Sequence, residues 1–291
     1  MDTLVAPATG ASVHALFVKR TAERAVRSLL REAEAAPKPG LVDRLGPGSH
    51  TDMDIHLFRR SAATLGPYFR RMVVARSARE LRALGIEAET AMLEATGGIN
   101  THKGAIWTMG LLCAAAGNLS RAASYGGAAP DATALCAEAA DIAAAIAALD
   151  RPGAAAGPTP THGQMARADH GLRSARDEAL AGFPSIRARA LPLARSLGSR
   201  FMTDDERVIT ILLAVMAEAD DTCLVARGGI QALIDARSVA ARILAAGGPN
   251  TAMGSRLYAR LRQQFLESGL SPGGSADLCA ATLFLVDIES A

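Results

Sequence analysis

The chain has 291 residues, of which 49% are hydrophobic, 21% charged and only 4% aromatic. That composition is globular rather than disordered, and 62 alanines against so few aromatics favour helices over a β-sandwich or barrel. Thirty-one basic against 29 acidic residues leave a net charge of +2, too balanced for the concentrated basic face of a nucleic-acid-binding protein.

In chain order, apolar residues recur with helical period almost everywhere. A first helix is expected over residues 12–36 and is stopped by Pro37 and Pro39. A Gly/Pro/Asp-rich loop, Lys38 to His50, follows. Helices are expected from about Asp52 to Arg76, with a disturbance at Gly66-Pro67, and over 78–95. Thr96 to Gly104 breaks the pattern. An apolar helix from about His102 to Ala116 should be the central buried one, with a loop over Arg121 to Pro130 after it. Further helices are expected at 131–149, 162–181, 185–198, 204–219, 230–246, 251–266 and 275–288, with a Gly/Pro/Ala-rich surface loop at 151–161. No βαβ rhythm and no fixed-period repeat is present. The expected architecture is all-α: residues 1–291 as one compact domain of about ten helices, without significant sheet.

Cys113, Cys136, Cys223 and Cys279 are widely spaced and form no CxxC pair or Cys/His cluster. They read as small buried hydrophobes in a reducing compartment. The N-terminus shows no secretory pattern, and the longest uncharged run, Gly104 to Ser120, is too short and polar for a bilayer span. A cytoplasmic location is expected, with no membrane and no nucleic acid as partner. Homo-oligomer formation stays open.

Four loops carry the chemistry. Thr96-Gly-Gly-Ile-Asn-Thr-His-Lys-Gly104 puts two glycines, the caps Asn100 or Thr101 and the cation Lys103 at the start of the buried helix. Such an end binds anions, and a lysine there opposes the helix dipole unless an anion is present. The string is not a Walker A loop, because Gly104 and not Ser or Thr follows the lysine. Lys38 to Asp54 gathers Lys38, Asp43, His50, Asp52 and Asp54, and Asp52-Met-Asp54 could hold Mg²⁺ on a nucleotide, although both acids also suit a helix start. Glu218-Ala-Asp-Asp-Thr222 places Asp220 and Asp221 at a helix C-terminal end, where a metal, Arg227 or a substrate hydroxyl should compensate them. Ser271-Pro-Gly-Gly-Ser-Ala-Asp277 reads as a helix start, with Ser275 as cap and Asp277 as first-turn acid. Residue chemistry alone thus supports a helical, Mg²⁺-dependent nucleotide or polyphosphate enzyme. A helical Mg²⁺-dependent hydrolase of ADP-ribosyl or nucleotide phosphate bonds, or a helical adaptor whose Gly loops are only turns, are the alternatives.

Lys38-Pro-Gly-Leu-Val-Asp43, Gly48-Ser-His-Thr-Asp-Met-Asp54 and Thr96-Gly-Gly-Ile-Asn-Thr-His-Lys-Gly-Ala-Ile106 resemble the triphosphoribosyl-dephospho-CoA synthase family. So do Asp221-Thr222 with Arg227-Gly-Gly229 and Pro272-Gly-Gly-Ser-Ala-Asp277, from about residue 20 to the C-terminus. Cys223 departs from the asparagine expected in many relatives. The resemblance implies a transferase that joins the 5-triphosphoribosyl part of ATP to a ribose hydroxyl of 3′-dephospho-CoA and releases adenine. The product is the prosthetic-group precursor for the acyl carrier protein of malonate decarboxylase or citrate lyase, loaded by a separate transferase. The segment around Trp107 leans to the malonate system.

For that reaction, the chemistry assigns the triphosphate to Lys38, Lys103, Arg227 and the stretch Gly97, Gly98, Asn100, Thr101 and Gly104. Mg²⁺ would go to Asp52, Asp54 and Asp221. Glu89 or Asp220 would be the base or the oxocarbenium stabiliser, and His102 or His50 the proton donor.

Overall fold

The computed structural model describes residues 10–123, 131–149, 165, 168–197 and 202–290. Its helices are α1 (Gly10–Glu34), α2 (Ile55–Val74), α3 (Ala78–Ala95), α4 (Lys103–Ala123), α5 (Ala132–Ala147), α6 (Ala175–Leu180), α7 (Leu191–Ser196), α8 (Asp204–Met216), α9 (Thr222–Ala245), α10 (Ala252–Glu267) and α11 (Gly273–Glu289). A π-helical turn, Ile186–Ala190, leads into α7. Among the described residues there is no strand, only an isolated bridge between Asp43 and Gly46. The expected all-α class holds.

One contiguous core draws on helices from α1 to α11. Its middle is α4, buried continuously from Thr108 to Gly117, flanked by α2, α5 and α11. The small residues of α4 set how close its neighbours come. A Cβ on Gly117 would lie 1.8 Å from the Val73 carbonyl oxygen, and one on Gly110 would lie 2.9 Å from the Met72 sulfur. Close-packed interiors leave no slack for such additions, so α2 and α4 come this close only where glycine stands. α8 and α11 are likewise buried almost all round and pack on each other.

Several boundaries differ from the sequence reading. α2 runs through Gly66-Pro67 without a break. α4 continues to Ala123, past the Arg121 at which a loop was expected. The expected helix over 162–181 contains six-residue α6, begun by a Ser174–Asp177 capping box. The helix expected from 230 starts at Thr222 and kinks at Gly229, whose φ of 71° and ψ of −178° only glycine adopts readily. The loop expected at 151–161 lies outside the described residues. No helix among the described residues is long and apolar enough to cross a membrane.

Candidate active site

The connection from α1 to α2 is built by its own charged residues. Lys38 turns back onto the end of α1, where its Nζ donates to the Glu32 carbonyl (2.6 Å) and to Glu32 Oε1 (2.7 Å). The Lys38 side chain is 1% exposed and that of Glu32 7%. Burial pushes the Glu32 carboxyl up, and Lys38 opposes that shift. The Lys38 amide donates to Asp43 Oδ2, while Asp43 Oδ1 accepts from the amides of Leu45 and Gly46. Lys38 was expected on the triphosphate. Its ammonium is instead sealed against a buried carboxylate, because α1 ends one turn before the loop and leaves Glu32 facing inward.

The glycine-rich break after α3 divides into two parts with different jobs. Gly97 and Gly98 take positive φ, and their amides bond the carbonyls of Glu94 (3.4 Å) and Leu93 (2.7 Å). They end α3, as paired left-handed residues do at helix C-termini. These two amides are therefore spent on α3 and do not cradle phosphate as expected. Asn100 Oδ1 accepts the Lys103 amide and caps α4. Lys103 stands exposed in the first turn of α4, with its Nζ 2.5 Å from Glu89 Oε1 on α3. This is the cation that the sequence placed at an anion-binding helix start.

His102 is 4% exposed between those elements. Its Nδ1 lies 2.7 Å from Ser61 Oγ on α2, and Thr101 Oγ1 donates to the same Ser61 oxygen at 2.7 Å. Phe58 packs edge-on to its ring, 5.0 Å between centroids. Burial, helped by the Lys38 charge, pushes the His102 pKa down to about 3. Burial thus disfavours the imidazolium that a proton donor would need at neutral pH. What His102 offers is a neutral ring.

The start of α11 meets the start of α4. A Cβ on Gly104 would lie 2.0 Å from Asp277 Oδ2, so only glycine admits that carboxylate. The Ala105 amide donates to Asp277, which suits a helix N-terminus. Burial, reinforced by the charges of Glu32 and Asp221, nevertheless raises the Asp277 pKa well above its ordinary value. Sequence reasoning read Asp277 as a plain first-turn acid. The cue it passed over was that two glycine pairs, 97–98 and 273–274, precede the residues that meet.

Asp221 joins the start of α9 to the same place. It caps α9 by accepting from the amides of Cys223 and Leu224, and it accepts from the amide and hydroxyl of Ser275, both at 2.7 Å. Burial raises its pKa against those four hydrogen bonds. It begins a helix rather than ending one, so its charge needs no compensating metal. Asp220, one residue earlier, is held by Arg173 and Arg237. Burial alone would raise its pKa, but the Arg173 and Arg237 hydrogen bonds outweigh it and keep it below the usual value. A carboxylate held this way is a poor base, which counts against that one of the two roles expected of Asp220, while it stays ionised as an oxocarbenium stabiliser must.

Arg227, exposed on α9, reaches the loop before α2. Its guanidinium donates to the Gly269 carbonyl (2.9 Å) and to His50 Nδ1 (3.2 Å), and His50 Nε2 lies 2.9 Å from Ser271 Oγ. Burial, then the Arg227 charge, lowers the His50 pKa, with Asp52 acting the other way. Asp52 is exposed 3.8 Å from His50, and Asp54 caps α2 by accepting from the Leu57 amide. Asp52, Asp54 and Asp221 are consequently not gathered. Asp221 has both oxygens engaged, and among the described residues no group of three or more His, Cys, Asp or Glu could hold a metal ion. The trio does not fit a resident Mg²⁺ site.

Part of the predicted set therefore gathers around the N-terminus of α11. Asp277 ties it to α4 and its Lys103, Asp221 ties it to α9, and Ser271 ties it to His50 and Arg227. Residues 18–291 match the model of the CitG family, ATP:dephospho-CoA triphosphoribosyl transferase. The chain belongs to this family. It is 40% identical over 282 residues to a protein of Azotobacter vinelandii named a probable 2-(5''-triphosphoribosyl)-3'-dephosphocoenzyme-A synthase, covering 94% of this chain and 92% of that one. A Pseudomonas paraeruginosa protein of the same name is 41% identical over 280 residues, covering 93% and 91%. A crystal structure from Archaeoglobus fulgidus, described as a candidate triphosphoribosyl-dephospho-CoA synthase, shares the fold. Its TM-score is 0.50 at 16% identity, over 79% of this chain and 97% of that one. The family is one of transferases, and the motifs that carried the resemblance are those that meet at α11.

Proposed function

We propose that this chain transfers the 5-triphosphoribosyl group of ATP to a ribose hydroxyl of 3′-dephospho-CoA, releasing adenine. The product would pass to a separate transferase that loads the acyl carrier protein of malonate decarboxylase or citrate lyase. The observation that carries the reading is the meeting of three helix N-termini, those of α4, α9 and α11, in a chain of this family. Helix N-termini with nearby cations suit a polyphosphate, and Lys103 and Arg227 are the exposed cations at α4 and α9. The four free cysteines and the use of ATP suit a cytoplasmic enzyme.

The substrate form is Mg–ATP, with the ion carried chiefly by phosphate oxygens. Lys103 rests on Glu89 until the triphosphate takes its place. At the sugar, the C1′–N9 bond breaks with its electron pair going to adenine, and the acceptor hydroxyl oxygen bonds to C1′. Asp277 takes the hydroxyl proton, since a carboxyl with a raised pKa is the stronger base when ionised. The proton lost by the hydroxyl balances the one that adenine gains.

The test is adenine release from Mg–ATP in the presence of 3′-dephospho-CoA, with intact CoA as control and products read by chromatography and mass. Acceptor-dependent adenine with a matching triphosphoribosyl adduct is expected. Phosphate or ADP without adenine would refute the reading in favour of a hydrolase. Lys103→Ala should lower kcat/KM by about ten- to a hundredfold, since each tenfold is about 1.4 kcal/mol of transition-state stabilisation. A variant that folds and keeps wild-type kcat/KM would remove Lys103 from the phosphate site.

A further inference from the structure

His102 is almost wholly buried, yet only one of its ring nitrogens has a protein partner. Nδ1 meets Ser61 Oγ, whereas Nε2 takes no partner among the described residues. It is not among the buried polar atoms left unpartnered, so it opens onto accessible space. His102 sits between Thr101 and Lys103, two residues before the Gly104 that receives Asp277. A buried ring with one nitrogen anchored and the other opening outward is built to present a single polar atom.

The anchor also decides which nitrogen carries the proton. Thr101 Oγ1 donates to Ser61 Oγ. Ser61 is completely buried on α2, and its own hydroxyl hydrogen is then free to point at His102 Nδ1. A neutral imidazole that accepts at Nδ1 must carry its proton on Nε2. We propose that Ser61 is a positioning residue of the transferase: through the Thr101–Ser61–His102 relay it holds His102 in the Nε2–H form and aims that N–H at the departing adenine. The relay rests on the reaction proposed above. No proton leaves His102 in this role. The N–H hydrogen-bonds the electron pair that adenine gains when the C1′–N9 bond breaks, which is stabilisation of charge developing in the transition state.

Nitrogen-15 NMR of the imidazole rings tests the relay without any turnover, with the His102 signals assigned by their loss in His102→Gln. Wild type should show a bare Nδ1 and a protonated Nε2. Ser61→Ala should mix the two forms, and Thr101→Val, nearly isosteric, should do so partly by removing the hydrogen that directs Ser61. In the adenine-release assay with Mg–ATP, Ser61→Ala should lose about tenfold in kcat, about 1.4 kcal/mol of transition-state stabilisation, with KM for ATP within about twofold. A protonated Nδ1 in the wild type would overturn the proposal. So would a tautomer change that leaves kcat unaltered, or a loss confined to KM, which would mark Ser61 as packing. A wild type with the Nε2–H ring but no adenine release would instead sink the proposed reaction and leave the ring assignment standing.

Discussion

Removing Lys38 separates a structural lysine from a phosphate-binding one. In Lys38→Met the Glu32 carboxylate keeps its buried place and loses the ammonium 2.7 Å away. Breaking a buried pair on one side costs about 3–5 kcal/mol. Glu32 can limit that cost by taking a proton. From its ordinary value of 4.5, holding the carboxyl protonated at pH 7 costs about 3.4 kcal/mol, at about 1.4 kcal/mol for each pH unit. The expected deficit at pH 7 is therefore about 3 kcal/mol. With an unfolding entropy of about 0.6 kcal/mol per degree for a chain this long, Tm should fall by about 5 °C. The sign with pH follows from the raised Glu32 pKa in the fold. The variant is relatively stable in acid and loses stability as pH rises, so its deficit should shrink to about 2 kcal/mol at pH 6 and nearly vanish near pH 4.5. Thermal and urea unfolding from pH 5 to 8 would measure it. The double variant Lys38→Met/Glu32→Gln should recover most of the loss and bind ATP with a KM within about threefold of wild type. A deficit that ignores pH, or a double variant no better than the single one, would refute this account. A large KM rise in both would restore Lys38 to the triphosphate.

Asp277→Asn should abolish most turnover and yet raise Tm at neutral pH. The wild-type carboxyl has a raised pKa in the fold, so its contribution to stability is lost as pH climbs, and the amide is free of that loss while still accepting from Ala105. A Tm gain that is the same at pH 4 and pH 8 would contradict the cause given. Gly104→Ala puts a methyl 2.0 Å from Asp277 Oδ2, and we expect about 1–3 kcal/mol of lost stability together with a steep fall in kcat. Retained kcat would show that Asp277 need not touch α4. Asp220→Asn should cost about 1.5–3 kcal/mol at pH 7 by weakening two charged hydrogen bonds, with kcat within about twofold of wild type. Because the Asp220 pKa is lowered in the fold, the wild-type advantage should fade as pH falls through the acid range below the ordinary 3.8. A collapse of kcat without loss of stability would return Asp220 to the chemistry.

Much of this protein was legible in local chemistry. Helical period marked α3 at its observed bounds, 78–95, and placed α4 as the buried centre, because an uncharged apolar stretch rich in alanine and leucine has little alternative to a buried helix. The glycine and lysine motifs pointed to the right loops, since backbone turns and exposed cations leave marks in a single segment. Roles that depend on distant partners could not be read. Lys38 and Lys103 look alike in sequence, each with glycine within two residues, yet one is buried on Glu32 and the other stands exposed on Glu89. Asp220 and Asp221 are adjacent, yet one is bound by guanidinium groups and the other staples two helix starts. The start of α9 at Thr222 escaped because its cap, Asp221, was read as the end of the preceding helix, and the kink at Gly229 hid the continuity. Composition and periodicity determined that the chain is helical and where the loops with the chemistry-bearing motifs lie. Which carboxylate meets which helix end was decided only by tertiary packing, because burial, charge pairing and proton affinity depend on what lies across the fold rather than along the chain.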